Sequence, residues 1–467
     1  MRRGQGSARP GRRDRLSPID VSNLRVEDHG LPMHVAAFAI LEGTPLLDAS
    51  RELRLDALRG RLEQRLALAP RLRQALFRPR VGLGPPLWVD DSGFDVRQTL
   101  AIPAPGDESA LLKVCAELND PPLDRSRPLW EMWLLTGLAD GTVGMLFRLH
   151  HIVADGIAAL ALIGTLFDAA PDAPAPVAGS WVPRPAPGHG ELLADNLRRH
   201  ATALTAALSR IRHPAAMSRR LSVPVGQVWQ LLREGSAPRV SLNRPVGRHR
   251  RLLFVRADLD RAKAVIHAHG AKVNDVVLAA MAGGARRLLE ARGELKPGLV
   301  LKVSVAASIR SLADEPAIGN RVGIFLAPLP VGEPDPIRRL QQIARATAER
   351  KRHPPYQPGG RFAQRWMVRA MSHQRLVNLL ASNLPGPPFH MFFAGARVLE
   401  LFQVGVVQGN ITVSVGVVSY AGQLNFDIVG DADASPDLAE FAAGVSDTLL
   451  QLGAGPQKSG ILEPSSP

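Results

Sequence analysis

Cysteine is almost absent from this chain of 467 residues, which has only Cys115. A single thiol excludes an intramolecular disulfide and is typical of proteins in a reducing compartment, so we expect a cytoplasmic location. Cys115 lies in a stretch with apolar residues at helical spacing, and we interpret it as a small buried hydrophobe.

Long apolar runs are also missing. No stretch of about 18 uncharged apolar residues occurs, so the sequence predicts no membrane-spanning helix. The basic residues at the start, 1–7, are not followed by an apolar segment and do not resemble a secretory signal. We expect residues 1–14 and 454–467 to be flexible tails, because they are rich in small and polar residues.

Aromatic residues make up only 5% of the chain. This content does not fit a base-stacking surface, and no zinc-finger spacing occurs. The net charge is nevertheless +14, with arginines dispersed along the chain. We therefore expect no nucleic-acid partner, and interpret the charge as attraction to anionic lipid, as attraction to ligand phosphates, or as genome composition.

The most informative segment is His-His-Ile-Val-Ala-Asp-Gly at 150–156. Apolar residues alternate before it as on a strand, and an apolar helical run follows from Ile157. Side chains of adjacent strand residues point to opposite faces, so His150 and His151 are not expected to bind one metal ion. One can face a cleft while the other packs inward. Side chains on a loop between rigid elements are often functional.

An imidazole in a cleft suits general-base chemistry, because its pKa lies near neutral pH. The structural alternative is a core histidine beside a solvated one. Asp155 lies in the turn near the predicted helix N-terminus, and Gly156 leaves room for close approach of a substrate or another backbone.

The spacing His-His-x-x-x-Asp-Gly resembles the signature of the CoA-dependent acyltransferase superfamily, which includes chloramphenicol acetyltransferase, carnitine acyltransferases and peptide-synthetase condensation domains. Neighbouring segments, in their order along the chain, are similar to those of the bacterial wax ester synthase/diacylglycerol acyltransferase family. These segments are Leu16-Ser-Pro-Ile-Asp20, Pro32-Met33-His34-Val35, Pro128-Leu129-Trp130, Ser241-Leu-Asn-Arg-Pro-Val-Gly247, Val273-Asn274-Asp275, Gly319-Asn320-Arg321-Val322 and Ser382-Asn383-Leu-Pro385-Gly386-Pro387.

This resemblance implies an α/β fold with two chloramphenicol-acetyltransferase-like lobes. Each lobe would contain a mixed sheet flanked by helices, with an active-site channel between the lobes. The N-terminal lobe would occupy residues 15–180 and the C-terminal lobe residues 241–453. Prolines between 171 and 187 predict a linker, so we interpret residues 181–240 as a linker with connecting helices.

The resemblance also implies the chemistry. His151, the second histidine of the motif, would be the general base that takes the proton from an alcohol hydroxyl as it attacks the thioester of acyl-CoA. Transfer would be direct, and no G-x-S-x-G nucleophile motif occurs. Acyl-CoA would be a substrate, and we expect no cofactor and no metal.

The implied acceptor is diacylglycerol, giving triacylglycerol, or a fatty alcohol, giving a wax ester. The sequence does not choose between them. Two alternatives remain open: a condensation-type enzyme that uses carrier-protein thioesters, and a catalytically silent lipid-binding protein with the same fold.

Supporting residues follow from the matching segments, each with a structural alternative. Ser382 or Asn383 would donate to the developing oxyanion, or would only form a turn. Asn274 and Asp275 would shape the site from the second lobe, or would only cap a helix. We also expect Arg73 to pair with Asp155 and so to fix the loop.

Pro128, Leu129 and Trp130 are expected to pack near the site. His34 is typical of the family and has no assigned role.

The resemblance places the acceptor in a lipid phase, so we expect peripheral association with an anionic membrane or with lipid droplets. The stretch 191–221 combines arginines with leucines and fits a basic amphipathic helix on a lipid surface. A connector with a solvated basic face fits it equally. Residues 401–407 lack a proline that the family pattern would place there, which would alter the pocket floor and the choice of acceptor.

Overall fold

The structure is a computed structural model. It describes residues 14–28, 33–96, 99–103, 106–138, 140–154, 156–174, 176, 181–211, 235–308, 322–350 and 373–456. In these ranges no helix is both long and apolar enough to cross a membrane.

Helices and strands alternate along the described ranges. The helices are α1 (Pro18–Asp28), α2 (Leu55–Leu66), α3 (Glu108–Asn119), α4 (Gly156–Gly164), α5 (His189–Ile211), α6 (Leu259–His269), α7 (Val273–Ala291), α8 (Pro336–Arg350) and α9 (Leu438–Gln451), with a 3-10 turn at Pro70–Arg73. The strands are β1 (His34–Leu41), β2 (Gln74–Phe77), β3 (Leu87–Asp90), β4 (Thr99–Pro103), β5 (Trp130–Thr136), β6 (Val143–His150), β7 (Arg250–Asp258), β8 (Leu301–Ser308), β9 (Val322–Leu329), β10 (Leu379–Pro385), β11 (Phe392–Phe393), β12 (Ala396–Val404), β13 (Val413–Tyr420) and β14 (Gln423–Asp431).

The first lobe is built on a six-stranded sheet in the order β11-β12-β1-β6-β5-β4. Only β4 and β5 run parallel, and the other neighbours are antiparallel. Strand β1 is buried on both faces: Ala37 and Ala39 join the core with α2 and α4, while Phe38 and Ile40 pack with α3. Burial on both faces explains why β1 is an almost continuous apolar run.

The second lobe has a six-stranded sheet in the order β7-β14-β13-β10-β8-β9. Strand β10 is parallel to both of its neighbours, and the other pairs are antiparallel. Helices α6 to α9 supply the core on one of its faces. The expected α/β fold with two mixed sheets is therefore confirmed.

Two strands cross the lobe boundary that the sequence predicts. Strands β11 and β12 lie within the segment 241–453, yet β12 pairs with β1 and completes the first sheet. Strands β12 and β13 follow one another along the chain, but they belong to different sheets. Alternation within a strand predicts its faces, not the strand it pairs with.

The contact between the lobes contains aromatic rings and one charged cluster. The rings of Phe254 on β7 and Phe402 on β12 stack at 3.9 Å between centroids. The Arg256 guanidinium on β7 donates to Glu400 on β12 over 2.7 Å and to Glu108 on α3 over 2.8 Å. One arginine therefore joins an element of the second sheet to two elements of the first lobe.

Candidate active site

The two histidines of the motif lie where β6 ends, in different environments. His150 is the last residue of β6 and is fully buried, whereas His151 begins the turn and is half-buried. The His151 N–H donates to the Met33 carbonyl over 2.8 Å, and the Val153 N–H donates to the His150 carbonyl over 2.9 Å. Helix α4 follows from Gly156. The turn is thus fixed between the start of β1 and the start of α4.

The His150 ring is held on both sides. The Ile152 N–H donates to Nδ1 over 3.1 Å, so the ring proton lies on Nε2, which donates to Glu27 over 3.2 Å. Burial raises the pKa of the Glu27 carboxyl, but hydrogen bonds from His150 and Arg125, together with the Arg125 charge, outweigh it and lower that pKa to about 2. Since both ring nitrogens are engaged, His150 braces the turn.

His34 lies directly opposite His150 in the ladder between β1 and β6. Its Nε2–H donates to the Asn119 carbonyl at the end of α3. Burial, together with the charge of Arg148, lowers the pKa of His34 to about 4. The ring is therefore neutral near pH 7 and joins β1 to α3, at a position that the sequence left without a role.

The segment Pro128–Trp130 lies against the same turn. The Leu129 carbonyl accepts a hydrogen bond from the His150 N–H over 3.0 Å. The Trp130 indole N–H donates to the Leu72 carbonyl over 2.7 Å. The fully buried indole also stacks on Phe147, with centroids 5.5 Å apart. This segment therefore packs next to the backbone that carries the histidines.

Ser382 and Asn383 lie on β10, near the middle of the second sheet. Ser382 is in register with Gly416 of β13, and its carbonyl accepts a hydrogen bond from Gln403 of the first sheet over 2.8 Å. Ala381 belongs to the core packed against helices. Side chains alternate along a strand, so Ser382 is on the face toward the first lobe and Asn383 is on the face toward the helices.

Two family models match the chain. The model for the wax ester synthase/diacylglycerol acyltransferase catalytic domain matches residues 16–277, and the model for the C-terminal domain of the same family matches residues 318–453. The chain belongs to the wax ester synthase/diacylglycerol acyltransferase family. It is an acyltransferase, as the motif implied.

Named relatives cover nearly the whole chain. A Mycobacterium tuberculosis (strain H37Rv) protein named as a diacylglycerol O-acyltransferase is 31% identical over 465 residues, which are 94% of this chain and 95% of the relative. A second such protein of that strain is 32% identical over 466 residues, covering 94% of this chain and 90% of the relative.

Two solved structures share this fold. The wax ester synthase/diacylglycerol acyltransferase of Marinobacter aquaeolei VT8 matches with a TM-score of 0.68 at 22% identity, covering 94% of this chain and 98% of that one. The first condensation domain of the CDA synthetase matches with a TM-score of 0.59 at 14% identity, covering 94% and 96%. At these identities the likeness shows the fold alone.

In this wax ester synthase/diacylglycerol acyltransferase chain, Arg73 lies on the 3-10 turn before β2. It donates to the Glu63 carbonyl over 2.8 Å, and its guanidinium lies 5.2 Å from the centroid of the Trp181 ring. Burial lowers the pKa of Arg73. Its expected partner Asp155 lies outside the described residues, so that pair stays a prediction.

Asn274 and Asp275 begin α7, and Asp275 is used within the second lobe. One of its carboxylate oxygens accepts from the Lys272 N–H over 2.9 Å, and the other accepts from the Thr347 hydroxyl of α8 over 2.7 Å. The first bond is a helix cap, which is the alternative that the sequence left open. The second joins α7 to α8.

Asp427 is a buried acid that sequence reasoning missed. It lies on β14 in register with Gly416, which in turn is in register with Ser382. Its Oδ2 accepts from the Gly405 N–H over 3.1 Å, and burial raises the pKa of Asp427 well above its usual range. Gly405 belongs to the atypical stretch 401–407, so this stretch lies where the two sheets meet. The sequence feature that could have identified Asp427 is an acidic residue within the apolar strand 424–428.

Proposed function

We propose that this acyltransferase transfers a long-chain acyl group from acyl-CoA to the hydroxyl of diacylglycerol, with a fatty alcohol as the second candidate acceptor. The two family matches, which together span residues 16–277 and 318–453, carry this proposal. Relatives named as diacylglycerol O-acyltransferases support diacylglycerol as the first choice.

His151 is the general base of the proposed reaction. It takes the proton from the acceptor hydroxyl while that oxygen attacks the thioester carbonyl carbon. The carbon–sulfur bond then breaks, and the CoA thiolate receives the proton from His151. The environment of the two histidines supports this choice, because both ring nitrogens of His150 are engaged and His151 is the half-buried one.

Ser382 is the proposed donor to the oxyanion that forms on the thioester carbonyl. Its place on the lobe-facing side of β10 favours it over Asn383. A preorganised donor of this kind contributes about 3 kcal/mol to transition-state stabilisation. We therefore expect Ser382→Ala to lower kcat by about a hundredfold, while Ser382→Thr, which keeps the hydroxyl, retains more of the rate.

The acceptor is tested with labelled palmitoyl-CoA offered together with dioleoylglycerol or hexadecanol, and the products are separated by thin-layer chromatography. The proposal predicts labelled triacylglycerol as the main product of the wild type. Wax ester alone would instead name the fatty alcohol as acceptor. No product with either acceptor, but product from a carrier-protein thioester, would contradict the proposed donor.

A further inference from the structure

Helix α5 exposes a stripe of leucines that nothing in the described ranges covers. Leu193, Leu197 and Leu204 are 47%, 61% and 62% exposed. At 3.6 residues per turn, these three positions lie within about 40° of one another around the helix axis. A soluble connector would place polar residues on such a face, so the stripe marks an interaction surface.

Contacts on other sides of α5 fix this stripe to the first lobe. The Asn196 amide donates to the Gly82 carbonyl over 2.8 Å, and the buried Asp195 is paired with Arg15. Arg15 also donates to the Pro85 carbonyl over 2.8 Å. These contacts join α5 to the hairpin tip between β2 and β3, residues 78–86. Helix and hairpin tip therefore form one continuous surface.

The hairpin tip adds exposed apolar and basic side chains. Val81 is fully exposed, and Arg78 and Arg80, which precede it in the tip, are exposed as well. On α5, Arg198 is exposed as well. The tip carries no acidic residue at all.

Both acidic residues of α5 are engaged elsewhere. Glu191 accepts a hydrogen bond from the Gly188 N–H, and Asp195 is buried with Arg15. The surface therefore combines exposed leucines and a valine with exposed arginines, which outnumber its one exposed acid, Glu191. Apolar side chains beside basic ones fit the boundary between anionic headgroups and acyl chains.

We propose that α5 and the β2–β3 hairpin tip together form the surface by which this protein binds an anionic lipid membrane. The leucines and Val81 enter the acyl-chain boundary, and Arg78, Arg80 and Arg198 contact headgroup phosphates. This inference extends the proposed function, whose acceptor resides in a lipid phase, but vesicle binding does not require His151.

Strand β2, which leads into the tip, also contacts the segment beside the histidine turn. Ala75 of β2 forms a bridge with Pro128, and the neighbouring Leu129 carbonyl accepts from the His150 N–H.

The test is co-sedimentation of the full chain with phosphatidylcholine vesicles, with and without phosphatidylglycerol. One variant changes the stripe (Leu193→Ser, Leu197→Ser, Leu204→Ser) and another reverses the charge (Arg78→Glu, Arg80→Glu, Arg198→Glu). The control variant is Leu450→Ser with Arg261→Glu, because Leu450 is 58% exposed on α9 and Arg261 is exposed on α6. Circular dichroism confirms that each variant is folded.

We expect the wild type to bind anionic vesicles, and both surface variants to bind at least about tenfold more weakly. The control variant and His151→Ala should bind like the wild type, so a wrong catalytic assignment would not affect this result. The proposal would be overturned if the wild-type protein does not bind anionic vesicles, or if the surface variants bind them as strongly as the wild type does. A wild-type dimer that the stripe variant converts to a monomer without changing vesicle binding would also overturn it.

Discussion

Two adjacent histidines lie in different environments because a strand ends between them. Alternation predicted that one would face inward, and the structure identifies His150 as that one. Its partner Glu27 is 123 positions away in sequence and lies on a helix with other acidic residues, so no local signal distinguishes it. The same holds for His34, whose partner is a backbone carbonyl of α3.

The His34 ring makes stability depend on pH. Its folded pKa is about 4, against 6.5 for the free side chain, so the unfolded chain binds its proton first as the pH falls. The contribution of His34 is fully present above pH 6.5 and is lost as the pH falls toward 4. We expect the unfolding free energy to drop by about 3 kcal/mol across this window through His34 alone.

Urea unfolding at several pH values measures this contribution. The loss between pH 6.5 and pH 4 should be smaller in His34→Gln than in the wild type. Identical slopes for wild type and His34→Gln would show that the ring titrates normally in the folded protein.

At the scale of elements, two helices pack closely where one of them has a glycine at the contact. Helix α7 contacts α9 through Gly284, where an added Cβ would lie 2.7 Å from the Phe441 carbonyl oxygen. That atom is backbone and cannot rotate away. Gly60 on α2 is the reverse case, since a Cβ there would meet nothing within 4 Å.

Alanine at these two glycines should therefore have opposite effects. Gly284→Ala should lower the unfolding free energy by about 1–3 kcal/mol through overpacking. Gly60→Ala should raise it by about 0.5–1 kcal/mol, because alanine favours the helix. Thermal unfolding of both variants provides the comparison, and a neutral Gly284→Ala would mean that α7 and α9 can separate at no cost.

The sequence predicted some elements but not their partners. The strand before the histidine pair and the helix after it correspond to β6 and α4, because their apolar periodicity is strong. The pairing of β12 with β1 was not predictable, since the partners are more than 350 residues apart and share no local pattern. The helix cap by Asp275 could be predicted from neighbouring residues in the sequence, whereas its hydrogen bond to Thr347 on another helix could not.

For the molecule as a whole, the lobes meet through a charged cluster that is sheltered from water. The Arg256 side chain is 27% exposed and its partner Glu400 only 6% exposed. Arg287 offers a matched comparison, since it also bridges two carboxylates, Glu440 and Asp447, but all three side chains are more than 40% exposed.

Replacing each arginine with alanine should lower the unfolding free energy by different amounts in the two environments. Arg256→Ala leaves Glu400 without its cation at the lobe contact and should cost about 2–4 kcal/mol of unfolding free energy. Arg287→Ala should cost less than about 1 kcal/mol, because surface ion pairs contribute little. Equal losses in a denaturant titration would show that Arg256 does not hold the lobes together.

The central claim is that His151, and not another group, removes the proton from the acceptor during direct transfer from acyl-CoA. Steady-state kinetics of wild type, His151→Ala and the exposed-site control His249→Ala, with palmitoyl-CoA and dioleoylglycerol, tests it most directly. We predict a loss of kcat of about 10²–10⁴-fold for His151→Ala, with an unchanged melting temperature and wild-type rates for His249→Ala. A folded His151→Ala enzyme that turns over at the wild-type rate would contradict the account.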